Sequence, residues 1–489
     1  MSHRTAMRCA AIATILLQAP LAFGQDAAPA GGPPTPPPPA VPGAPPTGDA
    51  PRFPGTISVM ARLRYYLVDN LYDLDNKNDD RLSVGTERVG VRAEGQPLEG
   101  LTLRVGVFQI HSIGLDSRRV FDVPAVEDDR ERPVELDRAH LEWKPADVPG
   151  LTLTVGRQDI VLGAGFLVGD GVRLEDKANL LGYLEDNRDD FDALRAEWKD
   201  DGWALSAFGA RVRDTESGTS DRRLWLAGLD AEREIEGHRP GLTLVYARDE
   251  RPRADLYGPV IGFPFTSPLT PYTADDANAW TLAASLRSAG PLVGPLGYRA
   301  EIVGETGRSP GGANDNTLAP DLERLRAWGA DAALVAFLAE DRKSVIRLRH
   351  VFLSGDRPGQ GNGQYDPLFD NQIFGHLANV QTNVRAINLG ASVASLEDWT
   401  FLAEAWHFRF DQSYEQVLPF GLSRAGYKAA GDEIDISVSR HWGAHWVTEV
   451  GGGVFFPGKA WKPDNGNPLG FNTSNDTVWA IRLTVTLMF

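Results

Sequence analysis

The sequence predicts an all-β fold, a transmembrane antiparallel up-and-down β-barrel of about 18 strands. Period-two alternation of apolar and polar residues recurs after residue 55, without a sustained helical period. The connections between the predicted strands alternate between short and long, as outer-membrane barrels require. Tryptophans concentrate at strand ends, where a barrel would place them at its two membrane interfaces.

Residues 1–24 have the pattern of a secretory signal peptide. Arg4 and Arg8 precede the apolar run CAAIATILLQAPLAF, and Ala22-Phe23-Gly24 is a small-x-small cleavage site. The run is too short to span a bilayer comfortably as a helix. Cys9 is the single cysteine and lies inside this segment, so the mature chain is expected to hold neither a disulfide nor a thiolate metal site.

Residues 25–55 are rich in proline and include GGPPTPPPPAVPGAPPTG, a composition that cannot bury apolar surface. We predict a disordered leader here, followed by the barrel over residues 56–489. The formal net charge of −17 argues against a nucleic-acid partner.

Individual strands show two chemically distinct faces. In DRAHLEWK, Arg138, His140 and Glu142 alternate with Ala139 and Leu141. A soluble sandwich would alternate too, but it would not require connections that alternate strictly in length. Short connections include QPLEG, KDDG, AEDR and SLED, and long ones span 112–133, 161–189, 251–277, 308–325, 354–382 and 457–476. With an even number of strands, the start of the first strand and the end of the last strand both lie on the periplasmic side.

The tryptophans sort into two sets. Those beside short turns are Trp143, Trp198, Trp203, Trp399, Trp442 and Trp446, and those that open strands after long loops are Trp225, Trp280, Trp328 and Trp479. The two sets are expected to form one belt at each interface, where an amphipathic indole is favoured.

The last predicted strand is VWAIRLTVTLMF. Its apolar face should contact lipid and comprises Ile481, Leu483, Val485, Leu487 and Phe489, while Thr484 and Thr486 face the lumen with Arg482. A charge on the lipid face near the bilayer midplane costs roughly 2–4 kcal/mol, so Arg482 should point inward. Every backbone group in hydrocarbon needs a partner, so this strand should close on the first.

Alternation assigns many charged side chains to the inner face. The predicted pore-lining residues are Arg62, Arg64, Arg88, Arg92, Arg104, Arg138, Glu142, Arg195, Arg299, Glu301, Arg347, Arg349, Arg385 and Arg482. Acidic residues on the same faces include Glu94, Glu197, Glu305, Asp331, Glu433 and Asp435. Charged rings set pore selectivity, and guanidinium groups bind carboxylates in bidentate geometry. The pattern favours a path for a carboxylate-bearing solute or polymer over a neutralised wall that is merely solvated.

Other groups of polar residues give weaker indications of a metal or catalytic site. DLDNKNDDR (73–81) resembles part of a calcium loop but lacks its mid-loop glycine and terminal glutamate, so a solvated loop is favoured. His441 and His445 have a zinc-like spacing but fall on a predicted turn between two tryptophans. We therefore predict no cofactor, no metal and no catalytic residue.

Three segments together resemble one family. These are ELDRAHLEWKPADVPGLTLTVGRQDIVLGAGFLVGD (135–170), HVFLSGDRPGQGNGQYDPLF (350–369) and VGGGVFFPGKAW (450–461). They are similar to segments of alginate-export outer-membrane porins. The resemblance implies a monomeric barrel of eighteen strands, with an arginine-lined constriction that passes an anionic uronate polymer outward. It also implies that long loops and a periplasmic turn gate the pore.

The resemblance carries over to four further residues. Arg157 and Gln158 match the family's Gly-Arg-Gln signature and are predicted on that resemblance to line the pore, and Gly355 and Asp356 match its Ser-Gly-Asp loop. Alternation from Leu151, Leu153 and Val155 would point Arg157 outward. Either the strand bulges near Gly156 or Arg157 lies beyond the hydrocarbon zone.

The predicted function is an outer-membrane channel that passes an alginate-like anionic polysaccharide, as an exporter and not as an enzyme. An uptake porin for small anions or oligosaccharides is the alternative, because a passive channel follows the gradient, and an outer-membrane hydrolase is a minor one. Expected partners are outer-membrane lipid and lipopolysaccharide, the polysaccharide and a periplasmic secretion partner. The expected location is the outer membrane of a Gram-negative bacterium.

Overall fold

A computed structural model describes the barrel. It covers residues 55–69, 82–113, 134–169, 189–214, 224–249, 279–310, 322–338, 344–357, 361–365, 368, 374–378, 383–396, 398–413, 417–418, 421–422, 426–461 and 476–489. The predicted signal peptide, the proline-rich leader before Gly55 and the segment 73–81 lie outside these residues. Within the described part, no helix is long and apolar enough to cross a membrane.

Eighteen strands form one antiparallel sheet. They are β1 (Gly55–Asp69), β2 (Leu82–Leu98), β3 (Leu101–Ile113), β4 (Glu135–Trp143), β5 (Leu151–Gln158), β6 (Asp189–Asp200), β7 (Trp203–Asp214), β8 (Leu224–Arg233), β9 (Gly241–Asp249), β10 (Ala279–Pro291), β11 (Leu296–Pro310), β12 (Leu322–Phe337), β13 (Val345–Leu353), β14 (Val384–Leu396), β15 (Trp399–Phe410), β18 (Ala429–Trp442), β19 (Trp446–Pro457) and β20 (Val478–Met488). A small hairpin, β16 (Val417–Leu418) with β17 (Gly421–Leu422), and a 3-10 helix (Lys459–Trp461) lie in the connections.

The sheet closes on itself. Each strand pairs with its neighbours in the chain, and β1 pairs with β20 over ten positions from Met60 opposite Met488 to Asp69 opposite Trp479. The pairing continues at the chain end, where Val59 N–H donates to the Phe489 carbonyl over 2.8 Å. The predicted fold class and closure are therefore confirmed, with all edges removed as lipid demands.

The connections alternate in length as predicted. Tight turns such as 201–202 and 443–445 lie at one end of the barrel, here the short-turn end. Connections such as 159–188 and 354–383 lie at the other, the long-loop end. Both β1 and β20 have their free ends at the short-turn end, because the strand number is even.

Outward side chains are apolar and exposed, and inward ones are covered. On β20, Ile481 and Leu483 are exposed whereas Arg482 and Thr484 are buried, as alternation requires. Leu487 differs from expectation because it is buried at the short-turn end, opposite Trp446 of β19.

The tryptophans at both ends of the barrel include many with outward, exposed rings. Trp143, Trp203, Trp399 and Trp442 are exposed beside short turns, and Trp225 and Trp328 are exposed at the long-loop end. Trp406 and Trp461 are buried inside instead.

A bulge in β4 adds one residue to the inner wall. Leu136 pairs with Val107 and Arg138 pairs with Gly106, so Asp137 has no position of its own in the ladder. Asp137 is buried on the inner side, next to Arg138. A bulge re-aims side chains in this way without breaking the rest of the pairing.

The interior is layered rather than uniformly polar. Near the long-loop end the inward side chains are apolar and buried, among them Phe191, Val212, Leu226, Leu325, Val351 and Phe408. Residues from two long connections pack on them, including Phe166, Tyr365 and Phe374. Charged side chains occupy the wall further toward the short-turn end. The inner wall therefore has an apolar layer on the long-loop side of a charged layer.

Candidate functional site

A charged layer crosses the inner wall from β8 to β18. Its members are Asp230, Arg287, Arg299, Glu301, Asp331, Arg347, Arg349, Glu404 and Asp435. The ladder aligns them, with Glu301 opposite Asp331 and Glu404 opposite Asp435. The residue opposite Asp435 is Gly453. A larger residue would clash with the carboxylate, since a Cβ on Gly453 would lie 2.3 Å from Asp435 Oδ1.

Asp331 is the buried centre of this layer. Arg349 Nε donates to Asp331 Oδ1 over 2.7 Å, and Arg299 Nη2 donates to Oδ2 over 2.7 Å. The Asp331 and Arg349 side chains are 1% and 4% exposed, whereas Arg299 is 32% exposed. Arg349 therefore neutralises a buried acid, while Arg299 can also meet a solute.

Arg347 lies one step nearer the short-turn end and is 33% exposed. It donates to Glu404 and, over 3.3 Å, to Asn388 Oδ1. With Arg299, Glu404 and Gly390 it lines a recess of about 230 Å³ in the wall. Two accessible guanidinium groups thus share one recess.

The segment 374–378 docks on this layer from the long-loop side. The buried Glu433 carboxylate accepts the backbone N–H groups of His376, Leu377 and Ala378, the last two over 2.8 Å each. The ring of Phe374 lies 5.1 Å from the guanidinium carbon of Arg349. Loop and wall are therefore joined by hydrogen bonds as well as by packing.

One group beside this segment could hold a cation. The ligand atoms of His376, Glu404 and Asp435 lie within 4.8 Å of one another, and both oxygens of buried Asp435 lack a hydrogen-bond partner among the described groups. Imidazole and carboxylate ligands suit transition metals. Arg347 already neutralises Glu404, which weakens the group's net charge.

A second network covers β2 to β6. Arg92 pairs with Asp137 at 3.0 Å, Arg104 with Glu94 at 2.9 Å and with Glu142 at 2.8 Å. The side chains of Arg92 and Arg104 are 48% and 32% exposed. They are the accessible arginines on this side of the lumen.

The remaining inward arginines are more covered. Arg138 pairs with Asp159 at 2.8 Å, Arg195 with Glu197 at 3.0 Å, and Arg482 with Glu449. The buried side chains of Arg62, Arg64 and Arg88 also lie on the inner face, with Arg62 directly opposite Arg88. Glu301 is buried too and accepts a hydrogen bond from Ser285 Oγ over 2.6 Å.

Arg385 does not face the lumen, so its predicted pore-lining position is wrong. It shares its face with the exposed Ile387 and Leu389, while Ala386 and Asn388 are buried inside. Its guanidinium donates to Asp411 over 2.6 Å. The apolar residues of the same parity already indicated an outward face.

Arg157 also lies on the outer side, which corrects its assignment as a lining residue. It shares parity with exposed Val155 and pairs with Asp192 at 3.0 Å. The intervening Gly156 has a φ of 113°, and a Cβ there would lie 2.3 Å from the Ala139 carbonyl oxygen.

Gln158 points inward and is buried. Its amide donates to the carbonyls of Gly156 and Ala193 over 3.2 and 3.1 Å. The Gly-Arg-Gln signature therefore places a glycine where the neighbouring backbone comes close, an arginine outside and a glutamine that satisfies carbonyls inside.

The Ser-Gly-Asp segment holds its loop in place through hydrogen bonds between its side chains and backbone groups. Asp356 Oδ1 accepts the N–H groups of Arg357 and Gly363 over 2.8 and 3.1 Å. Ser354 bonds to the backbone of Trp328 and to the Gly363 carbonyl. A Cβ on Gly355 would lie 1.9 Å from Asn383 Oδ1, so no larger residue fits there.

The two signature segments meet inside the barrel. Phe166 and Tyr365 stack with ring centroids 5.7 Å apart, and the Tyr365 hydroxyl donates to the Phe166 carbonyl over 3.4 Å. Gly163 of the first segment lies against Arg287, which would be 2.7 Å from a Cβ there. The described parts of these two loops thus pack against each other on the inner side of the wall, next to the charged layer.

Sequence reasoning missed these loop residues and three members of the charged layer, Asp230, Arg287 and Glu404. Arg287 donates to both oxygens of Asp230 over 2.7 and 2.9 Å. Period-two alternation could have found Arg287. It could not have found Phe166, Tyr365 or His376, because loop residues carry no strand period.

Closure, strand number, alternating connections and tryptophan belts together define an outer-membrane channel of the porin class. A sequence profile of the alginate export family matches residues 64–473, and the chain belongs to that family. Family and fold are those of porins and export channels rather than of enzymes. The short-turn end is therefore periplasmic and the long-loop end extracellular.

Solved porins share the fold at low sequence identity. A BenF-like porin from Pseudomonas fluorescens Pf-5 is 10% identical, with 89% of this chain and 98% of that chain covered and a TM-score of 0.53. Pseudomonas aeruginosa OccK11 (OpdR) is 12% identical, with 89% and 97% covered and a TM-score of 0.52. P. aeruginosa OccK2 (OpdF), solved in complex with glucuronate, is 15% identical, with 89% and 99% covered and a TM-score of 0.50. Among curated proteins, none matches the sequence.

Proposed function

We propose that this channel exports an anionic, uronate-containing polysaccharide across the outer membrane. The observation that carries the proposal is the pair of accessible inner-wall arginines, Arg299 and Arg347, in one recess of the charged layer. Guanidinium groups bind carboxylates in bidentate geometry and can pass a polyanion from site to site.

The family resemblance implies a monomer, and we propose that a single chain forms the channel. Arg92 and Arg104 would contact the polymer from the opposite network, since both are substantially exposed. Arg349 would hold the wall in shape rather than touch the polymer, because it is buried against Asp331.

Planar-bilayer recordings test the proposal. The full-length barrel should be anion-selective by reversal potential and should be blocked by polymannuronate. Arg347→Ala should lower the anion-to-cation permeability ratio about threefold or more, because one accessible positive charge is lost in a confined lumen. Arg440→Ala is the matched control, since Arg440 stacks between Trp399 and Trp442 at the periplasmic end. Cation selectivity, or no block by the polymer, would overturn the proposal.

The second candidate is uptake of small uronates. Its support is the fold relative OccK2, whose structure contains glucuronate. Liposome swelling separates the two: a channel for small uronates would admit monomers quickly and would not be blocked by the polymer. An exporter should show polymer block at low polymer concentration.

A further inference from the structure

A histidine and two carboxylates meet where the segment 374–378 rests on the inner wall. Glu404 of β15 and Asp435 of β18 are direct partners in the ladder, and both point inward. His376 reaches them from the loop, with its Nε2 3.6 Å from Glu404 Oε2. One potential ligand atom from each of the three residues lies within 4.8 Å of the other two. We name these three residues the loop–wall cluster.

Asp435 carries a negative charge that the described part of the protein does not balance. The residue is 3% exposed, and neither of its carboxylate oxygens has a hydrogen-bond partner among the described groups. Glu433 stands two residues away on the same face, but its carboxylate already accepts three backbone N–H groups. A buried charge without a partner is costly, so Asp435 needs a positive charge from outside the described residues.

The two oxygens of Glu404 face different groups. Oε1 accepts a hydrogen bond from Arg347, whereas Oε2 is the oxygen nearest His376. Arg347 therefore offsets the charge of Glu404 without covering the oxygen that faces the cluster. Glu404 also lines the recess of about 230 Å³, so an ion in the lumen has a route to the cluster.

The loop backbone is held in the position that brings His376 to the wall. The N–H groups of His376, Leu377 and Ala378 all donate to Glu433. Gly375 precedes them with a φ of 80°, and a Cβ there would lie 2.7 Å from Glu433 Oε2. Ligands that the surrounding structure fixes in place bind an ion without a large ordering cost.

We propose that the loop–wall cluster binds a divalent transition-metal ion, with His376, Glu404 and Asp435 as its protein ligands and water in the remaining position. An imidazole with two carboxylates suits an ion such as Zn²⁺, whereas Ca²⁺ is bound through oxygen atoms. Zinc bonds are about 2.0–2.2 Å long, which puts tetrahedral ligand atoms about 3.4 Å apart. Rotation of the partly exposed His376 side chain can close the ligand atoms to this spacing.

Such an ion would fasten the segment 374–378 to the barrel wall. The segment covers Arg349 with the ring of Phe374, so the ion would stabilise a loop that shapes the charged layer. The three ligands come from a loop and two separate strands, which is why no spacing in the sequence indicates the site. The inference holds for a polymer channel and for a small-uronate channel alike, because it does not depend on the solute.

Calorimetric titration of the untagged full-length protein with Zn²⁺ tests this inference, after treatment with EDTA and in detergent without lipopolysaccharide. Iodoacetamide blocks Cys9, the single cysteine. The wild type should bind one Zn²⁺ per chain tightly, and Asp435→Asn and His376→Ala should each weaken this binding about tenfold or more. His407→Ala is the matched control and should leave the affinity unchanged, because His407 pairs with a carboxylate, that of Asp432, on the outer face.

Hydrogen exchange of the amides at residues 376–378 gives a second readout. Zn²⁺ should raise their protection factors in the wild type, because coordination of His376 restrains the backbone that donates to Glu433. It should leave them unchanged in Asp435→Asn. Heat-modifiable gel mobility verifies that each variant folds. His376→Ala carries the test if Asp435→Asn does not fold, because His376 lies in a loop.

Three results would overturn the inference. Absence of tight Zn²⁺ binding by the folded wild type would show that a proton, rather than a metal ion, balances Asp435. Equal affinity of the wild type, His376→Ala and Asp435→Asn would show that the ion binds elsewhere. Binding of Ca²⁺ as tight as that of Zn²⁺, and unaffected by His376→Ala, would show an oxygen-only site without the imidazole.

Discussion

Gly156 decides how the extracellular end of β5 is built. Its positive φ and its close approach to the neighbouring strand leave no room for a side chain, while the unbroken ladder keeps Arg157 outside with Asp192 and Gln158 inside. The sequence showed the conflict between alternation and the family signature. The structure resolves the conflict in favour of alternation, because β5 pairs without a register shift on both sides of Gly156.

Gly156→Ala should impair folding of the barrel. The new Cβ would lie 2.3 Å from the Ala139 carbonyl oxygen, and a strained φ alone costs about 1–3 kcal/mol. Urea unfolding in lipid vesicles, followed by heat-modifiable mobility, measures the loss. Gly304→Ala is the control, since a Cβ at that outward position meets no atom within 4 Å. Equal stability of the two variants would contradict this account.

At the scale of elements, the long connections do more than cross the barrel mouth. Phe166 and Tyr365 stack although they lie 199 residues apart in the sequence. Segment 374–378 is fixed to the wall through Glu433. Strand patterns predicted the connections themselves but not that they fold inward.

Tyr365→Ala should widen the channel. Loss of the ring removes the stack on Phe166 and loosens both inward loops, so single-channel conductance should rise and become noisier. Planar-bilayer recording measures this. Tyr246→Ala should leave conductance unchanged, because Tyr246 is exposed on the outer face. Unchanged conductance in Tyr365→Ala would show that these loops do not restrict the pore.

The junction between two long connections should be sensitive to acid. Burial by itself would raise the pKa of Asp411, but hydrogen bonds from Arg385, Gln412 and the Gly355 N–H outweigh it and hold this pKa below its ordinary value. A depressed carboxyl pKa stabilises the folded junction above the unfolded-state pKa, and that stability disappears as the pH falls through the lowered value.

The protection factors of the amides at residues 354–357, which correct for the intrinsic slowing of hydrogen exchange in acid, should therefore fall only in acid. Asp411→Asn should exchange faster already at neutral pH and lose this pH dependence. Asp432→Asn is the control, because Asp432 is an exposed outward residue paired with His407. Protection factors in the wild type that do not change on acidification would refute the assignment of Asp411.

At the scale of the whole molecule, the bilayer dictates the pattern. Hydrocarbon cannot accept unpaired backbone groups, so the sheet must close, and β20 pairs with β1. The same solvent requires one apolar face on each strand. These constraints act on every strand, which is why strand number, closure and tryptophan belts could be predicted.

A charge on the two faces of β20 should have unequal effects. Leu483→Arg places a guanidinium in lipid and should cost about 2–4 kcal/mol near the midplane. Thr484→Arg, one residue along, places it in the lumen and should cost less, with repacking against neighbours as its main penalty. Urea titration in lipid vesicles compares the two. A smaller loss for Leu483→Arg would mean that the inward and outward faces are reversed.

Much of the candidate site was also visible in the strands. Inward positions for Arg299, Arg347 and Arg349 follow from alternation with exposed apolar neighbours. Their different exposures do not follow from it. Arg349 is buried and Arg347 accessible because of what Asp331 and the docked loop cover.

The sequence by itself determined the barrel, its strand number, its two faces and its family, because lipid imposes a rule that each strand obeys locally. Only the tertiary structure decided which loop residues pack on the inner wall and which arginines stay accessible. These features depend on contacts between residues far apart in the chain, and no local pattern encodes such distances.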